Sequence, residues 1–320
     1  MNARPRLLVT RQVFPQVIER LAPYFELDAN QDDEDWPRAT LLARAADRDA
    51  LFVAASDRVD RELLAACPRL RMVATGSVGY NHIDLAACRE RGIAVSNTPD
   101  VLTEATADMA WALLLSTARR VTESEHWLRA GQWQRWAFDQ FLGADVHGTT
   151  LGILGMGRIG SAVARRARGF DMKVIYHNRS RAANEAELGA RLVDRATLLA
   201  EADHLVLVLP YSEATHHVIG ARELAAMKST ATLVNIARGG IVDDAALVEA
   251  LRAGRIAGAG LDVFEGEPAP DPQLLEVPNV VLTPHIGSAT RSSRLGMAML
   301  AAENLVAWAS GQPLRTPVSV

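Results

Sequence analysis

The chain has 320 residues, 49% of them hydrophobic, which is enough to bury a substantial core and long enough for two domains. Its 34 basic and 38 acidic residues leave a formal charge of -4, so the broad basic field that nucleic acid or an anionic membrane would require is excluded. Cys67 and Cys88, the only cysteines, stand in no metal-binding or redox spacing, and no disulfide framework is expected. In chain order, residues 1–6 are polar, carry two arginines and lead into a short strand. No apolar segment of signal or membrane-spanning length is present, and the expectation is a cytoplasmic protein.

Short apolar runs then alternate with amphipathic helical stretches, the pattern of parallel sheets covered by helices on both faces. The first series predicts strands at 7–9, 50–53, 71–74 and 93–95, with helices such as 84–91, ended by Gly92, between them. The acidic run 32–35 reads as a solvated loop. A long helix opens at Thr103 and runs through Met109, Trp111 and Leu115 toward Arg119; a second helix ends at Gly131. The second series predicts six buried strands, at 151–154, 173–176, 205–209, 232–236, 258–261 and 280–282. The last helix, 289–309, is closed by Gly311 and Pro313. Because the second series is complete in itself, this helix is predicted to return to the first domain. The fold class is α/β, with two doubly wound parallel-sheet domains and a cleft between them.

Gly155, Gly157 and Gly160 form G-M-G-R-I-G, with Arg158 and Ile159 between the last two glycines, after one predicted strand and before helical 161–168. In that context the first glycine permits the tight turn, the second lets backbone approach a pyrophosphate, and the third allows close helix–strand packing. The helix N-terminus adds free N–H groups and a positive dipole. The motif predicts a dinucleotide site on a Rossmann domain. An NAD-specific site needs a carboxylate at the end of the second strand to hold the ribose 2′-hydroxyl. Here that strand ends in His177, Asn178, Arg179, Ser180 and Arg181. Arg179 is suited to pair bidentately with a 2′-phosphate, and Asn178 and Ser180 to donate to it, so NADPH is preferred and NADH is the poorer cofactor. A charge-assisted bond of ~1.5 to 3 kcal/mol corresponds to a preference on the order of ten- to a hundredfold. The alternative is a plain surface arginine beside a turn.

Three residues fit reduction of a 2-oxo acid, which needs a carboxylate anchor, a proton donor and a group that keeps the donor acidic. Arg238 in A-R-G-G, Glu267 in G-L-D-V-F-E-G-E-P and His285 in T-P-H-I-G-S each follow a predicted strand, on the edge where a doubly wound sheet faces its ligand. Glu267 beside His285 would favour the imidazolium and orient the ring, and Arg238 would grip carboxylate and carbonyl oxygens. Each residue alone reads equally well as a structural or loop charge; three complementary ones on successive loops do not. His216 and His217, adjacent in sequence, are expected to point apart, with no carboxylate at metal spacing, and no metal is predicted.

G-M-G-R-I-G, N-I-A-R-G-G-I-V-D, G-A-G-L-D-V-F-E-G-E-P and P-H-I-G-S-A-T together resemble the D-isomer-specific 2-hydroxyacid dehydrogenase family over essentially the whole chain, most closely its glyoxylate/hydroxypyruvate and 2-ketogluconate reductases. The resemblance implies that Arg238, Glu267 and His285 are catalytic and that Asp262 lies near the nicotinamide. It implies that Leu209 and Pro210 line the cofactor cleft, and that Thr106, Thr215, Ile236, Ala237, Gly287 and Ser288 also contact the cofactor. It makes Ser77, Val78 and Gly79, after Gly76, the loop whose backbone N–H groups hold the substrate carboxylate; the alternative is a plain glycine turn. It implies a flavodoxin-like substrate domain, 1–101 plus 288–320, and a cofactor domain, 102–287, with a dimerisation arm about 120–147. Trp136 on that arm then either reaches the neighbour's active site or packs in the interface, and the protein is a homodimer. Two other readings stand beside the reductase: a nucleotide-sensing regulatory protein on the same fold, and a phosphoglycerate-type dehydrogenase.

Overall fold

The computed structural model describes residues 3–319. The chain forms two compact units, one holding the part up to Leu102 together with the part from Thr290 onward, the other Thr103–Ala289.

The first unit is built on five parallel strands, β1 (Arg6–Val9), β2 (Glu26–Ala29), β3 (Ala50–Val53), β4 (Met72–Thr75) and β5 (Ala94–Ser96), in the order β2-β1-β3-β4-β5. β3 and β4 are buried along their whole length, as the unbroken runs A-L-F-V and M-V-A-T require of strands covered on both faces. One face packs Leu8, Leu51 and Val73 against helices that include Arg61–Ala66 and Leu85–Glu90. The latter helix is capped by Asp84, whose carboxylate accepts from Ala87 N–H at 2.8 Å, and ends at Gly92 with φ +65°. The other face packs Leu7, Phe52 and Met72 against Ala301, Ala302 and Leu305 of the last helix, Arg291–Ala309. That helix is tied to the helix Pro15–Leu21 by the Arg20–Glu303 ion pair at 2.6 Å.

The second unit carries β6 (Thr150–Leu154), β7 (Lys173–His177), β8 (Ala190–Leu192), β9 (His204–Leu207), β10 (Thr232–Asn235), β11 (Gly258–Leu261) and β12 (Val280–Leu282), all parallel, in the order β12-β11-β10-β9-β6-β7-β8. The helix Thr103–Ala118 lies across β10 and β11 and against the helix Arg158–Ala167; Trp111 stacks on Phe170 at 4.6 Å and donates from its indole to Val163 O at 3.1 Å.

Seven strands replace the six expected here, and five replace four in the first unit. The additions are the edge strands β8 and β2. Each pairs on one side only and carries charged residues, so neither writes a continuous apolar run. In both sheets the strand order reverses, between β1 and β3 and between β6 and β9, and an open α/β sheet binds ligands beyond the strand C-termini at such points.

Candidate active site

The turn after β6 is shaped by its glycines. Gly155 has φ +106°, and a Cβ there would stand 2.5 Å from Val208 O, so the turn and the start of the loop after β9 touch backbone to backbone. At Gly160 a Cβ would meet Gly155 O at 2.3 Å, which is why the helix Arg158–Ala167 packs so closely on the turn. Gly157, its N-cap, is the opposite case: the space a Cβ would enter is open. Open space in front of a helix N-terminus suits a pyrophosphate, so these residues fit a dinucleotide.

Across the turn, the Asn178 amide accepts from Met156 N–H at 2.8 Å and donates to Met156 O at 3.3 Å. Where the sequence suggested an Asn178 donor for a phosphate, its amide ties the end of β7 to the glycine turn. Arg179 and Ser180 are exposed beside it, and no carboxylate takes the position after β7. The neighbouring charges are spent elsewhere: Arg181 pairs with Glu185 at 2.5 Å.

Beyond β10, β11 and β12, three loops bring together residues distant in sequence. His285 Nδ1 lies 2.7 Å from Glu267 Oε2, and Glu267 Oε1 accepts from Phe264 N–H at 2.8 Å. Burial alone would raise the Glu267 carboxyl, but the His285 bond, the Phe264 N–H and the charge of Arg238 outweigh it and hold the group below its ordinary value. Burial draws the Arg238 guanidinium down from its ordinary range, and Glu267 opposes that shift, so each charge lies in the other's field. Gly239 sets the spacing of their loops, since a Cβ there would stand 1.7 Å from Phe264 O.

Asp262, 2% exposed at the end of β11, organises the loop that carries His285. Its Oδ1 accepts from Thr283 Oγ1 at 2.7 Å and Ile286 N–H at 2.8 Å, and its Oδ2 from Gly287 N–H at 2.7 Å. The same residue's carbonyl accepts from His285 N–H at 2.9 Å, holding His285 in the left-handed region at φ +51°. Thr106 is buried nearby, its methyl 3.6 Å from the position a Gly287 Cβ would take. Ile236 and Ala237 are buried at the end of β10, Ser288 is half-buried, and Leu209 packs on the core beside an exposed Pro210. Thr215 Oγ1 donates to Pro210 O at 3.0 Å and closes the loop after β9.

Residues 111–287 match the family model described as D-isomer specific 2-hydroxyacid dehydrogenase, NAD binding domain. The chain belongs to the D-isomer-specific 2-hydroxyacid dehydrogenase family. The glyoxylate reductase of Thermococcus kodakarensis is 50% identical over 314 residues, 97% of this chain and 94% of that one. A solved protein of Thermus thermophilus shares 45% identity at a TM-score of 0.92, covering 98% of this chain and all of that one. The NADPH-dependent glyoxylate/hydroxypyruvate reductase of Sinorhizobium meliloti, solved with NADP and malonate, is 39% identical at a TM-score of 0.89, covering 99% and 97%. The protein is thus an NAD(P)-dependent D-2-hydroxyacid dehydrogenase on two parallel α/β sheets.

In the first unit of the dehydrogenase, the loop after β4 has its carbonyls tied back. Ser77 O accepts from Thr98 N–H at 3.0 Å and Val78 O from the Asn97 amide at 2.7 Å. The sequence reading named neither Asn97 nor Thr98. Their signal was S-N-T-P directly after a predicted strand, polar residues where a sheet presents its C-terminal edge. Trp136 lies 66% exposed on the segment 120–147, edge-on to Phe138 at 4.5 Å.

The two adjacent histidines depart from expectation. His216 and His217 stack at 3.8 Å rather than pointing apart, because His217 adopts φ +48° and turns the chain back on itself. Glu265, on the loop after β11, reaches His217 Nε2 at 3.1 Å, so a carboxylate distant in sequence does stand beside them. No helix among the described residues of the dehydrogenase is long and apolar enough to cross a membrane.

Proposed function

We propose that this chain reduces small 2-oxo acids to D-2-hydroxy acids, acting on glyoxylate and hydroxypyruvate, with 2-ketogluconate as a further substrate, and preferring NADPH to NADH. The observation that carries the reading is the 2.7 Å contact of His285 Nδ1 with Glu267, with the Arg238 charge alongside. The glyoxylate reductase likeness at 50% identity supports the substrate class. Bound NAD(P)H supplies the hydride. Arg238 grips the carboxylate and carbonyl oxygens and stabilises negative charge as it develops. Glu267 accepts a hydrogen bond from His285 Nδ1–H, which leaves Nε2 to deliver a proton to the forming alkoxide. Ser77, Val78 and Gly79 mark the loop that holds the substrate carboxylate through backbone N–H groups, with Trp136 a further substrate contact from the arm. Arg179 and Ser180 receive the 2′-phosphate, and Asp262 keeps the His285 loop in place beside the nicotinamide.

Purified protein assayed with both cofactors against a panel of 2-oxo acids tests the reading. Specificity constants should be on the order of ten- to a hundredfold higher with NADPH. Equal values would remove Arg179 from its role. His285→Ala should abolish turnover while NADPH binding stays near normal, and an active variant would overturn the proton-donor assignment.

A further inference from the structure

We propose that His82, acting through Thr75 and Ser77, is a positioning residue that fixes a third backbone donor, Tyr80 N–H, toward the substrate carboxylate. This rests on the reading of the loop after β4 as the carboxylate-binding element.

A trans peptide sets its C=O and the next residue's N–H in opposite directions. Tying back the carbonyls of Ser77, Val78 and Gly79 therefore turns the N–H groups of Val78, Gly79 and Tyr80 the other way. Thr98 N–H takes the first carbonyl and the Asn97 amide the second. The third, Gly79 O, accepts from Ser77 Oγ at 2.6 Å. None of the three N–H groups donates to an acceptor among the described residues. Successive unspent backbone donors make an anion site.

The third tie runs further than the others. A serine hydroxyl has one proton, and Ser77 gives it to a carbonyl that has none to give back. At the 2.8 Å contact between Thr75 Oγ1 and Ser77 Oγ the proton must therefore be that of Thr75. Thr75 then accepts at its 3.1 Å contact with His82 Nε2, so that nitrogen carries a proton. The polarity of the whole chain is fixed: His82 Nε2–H to Thr75, Thr75 to Ser77, Ser77 to Gly79 O. Thr75 is fully buried and Ser77 nearly so, which denies both hydroxyls a competing water. His82 is itself anchored, because its carbonyl accepts from Val59 N–H at 2.9 Å and the next residue, Ile83, bridges Val59. Neither Thr75 nor His82 needs to touch substrate. Their effect is to keep the Gly79–Tyr80 peptide from flipping its carbonyl toward an incoming anion.

Steady-state kinetics of the full-length protein with glyoxylate, with oxamate as a competitive probe, test the relay. His82→Phe and Thr75→Val should each raise KM for glyoxylate and Ki for oxamate roughly tenfold, the worth of one hydrogen bond, with kcat and the NADPH Kd within about twofold of wild type. Thr75→Ser and His82→Gln, which keep a hydroxyl and an N–H donor, should recover most of the loss, and the double variant should add little to either single one. His82 is half-buried, so its variants stay folded and informative if Thr75→Val does not. Unchanged KM and Ki in His82→Phe overturn the relay. Val78→Pro, which deletes one of the three donors, separates that failure from a failure of the loop reading. If it raises KM while the His82 variant does not, only the relay falls; if it too leaves KM unchanged, the carboxylate assignment falls with it.

Discussion

Asp244, 7% exposed at the start of the helix Asp244–Arg252, has its carboxyl pushed up to about 6. Burial is the main cause, opposed by the Glu265 N–H it accepts at 3.0 Å and reinforced by the charges of Glu265, Asp243 and Asp271. An unfolded aspartate loses its proton near 3.8, so the native state holds more protons between about 4 and 6. Stability therefore falls as pH rises through that window and stays lower above it. At ~1.4 kcal/mol per unit the loss is bounded at roughly 3 kcal/mol. An asparagine in this place would still accept from Glu265 without carrying charge. Asp244→Asn should raise the melting temperature by several degrees at pH 8 and by little at pH 4.5, as calorimetry at the two values will show. Asp244 lies in the first turn of its helix, and the loop after β11 reaches it through Glu265 N–H.

At the scale of elements, Gly239 locks the Arg238 loop against the backbone of Phe264 and Glu265, three and two residues before Glu267. Gly239→Ala must push the two loops apart, moving Arg238 away from Glu267 while every strand stays intact. A loss in kcat/KM on the order of a hundredfold is expected, with an unchanged far-UV circular dichroism spectrum. Wild-type kinetics in this variant would mean that the spacing is immaterial. The glycines were legible as a motif, and the buried strands as apolar runs. β2 and β8 were not, because E-L-D-A and A-R-L are half-exposed edge strands whose only support is a neighbour on one side.

Over the whole molecule, each unit buries its own sheet, while the segment 120–147 leaves Leu128, Trp133, Trp136, Phe138 and Leu142 between 53% and 89% exposed. We propose that these apolar side chains are covered by a second copy of the chain, the homodimer expected from the sequence. The 34.6-kDa chain should sediment at twice its mass, and Phe138→Ser with Leu142→Ser should return it to a monomer. A wild-type monomer would refute the dimer. The sequence by itself determined what is local: the alternation of apolar runs and capped helices, the G-M-G-R-I-G turn, and the missing carboxylate after β7. The pairing of Glu267 with His285 was readable from loops that follow successive strands; only the tertiary structure brought Glu265 to His217 and decided which backbone carbonyls of the loop after β4 are tied away. Those contacts depend on strand order and on single left-handed residues such as His217 and His285, which no local propensity records.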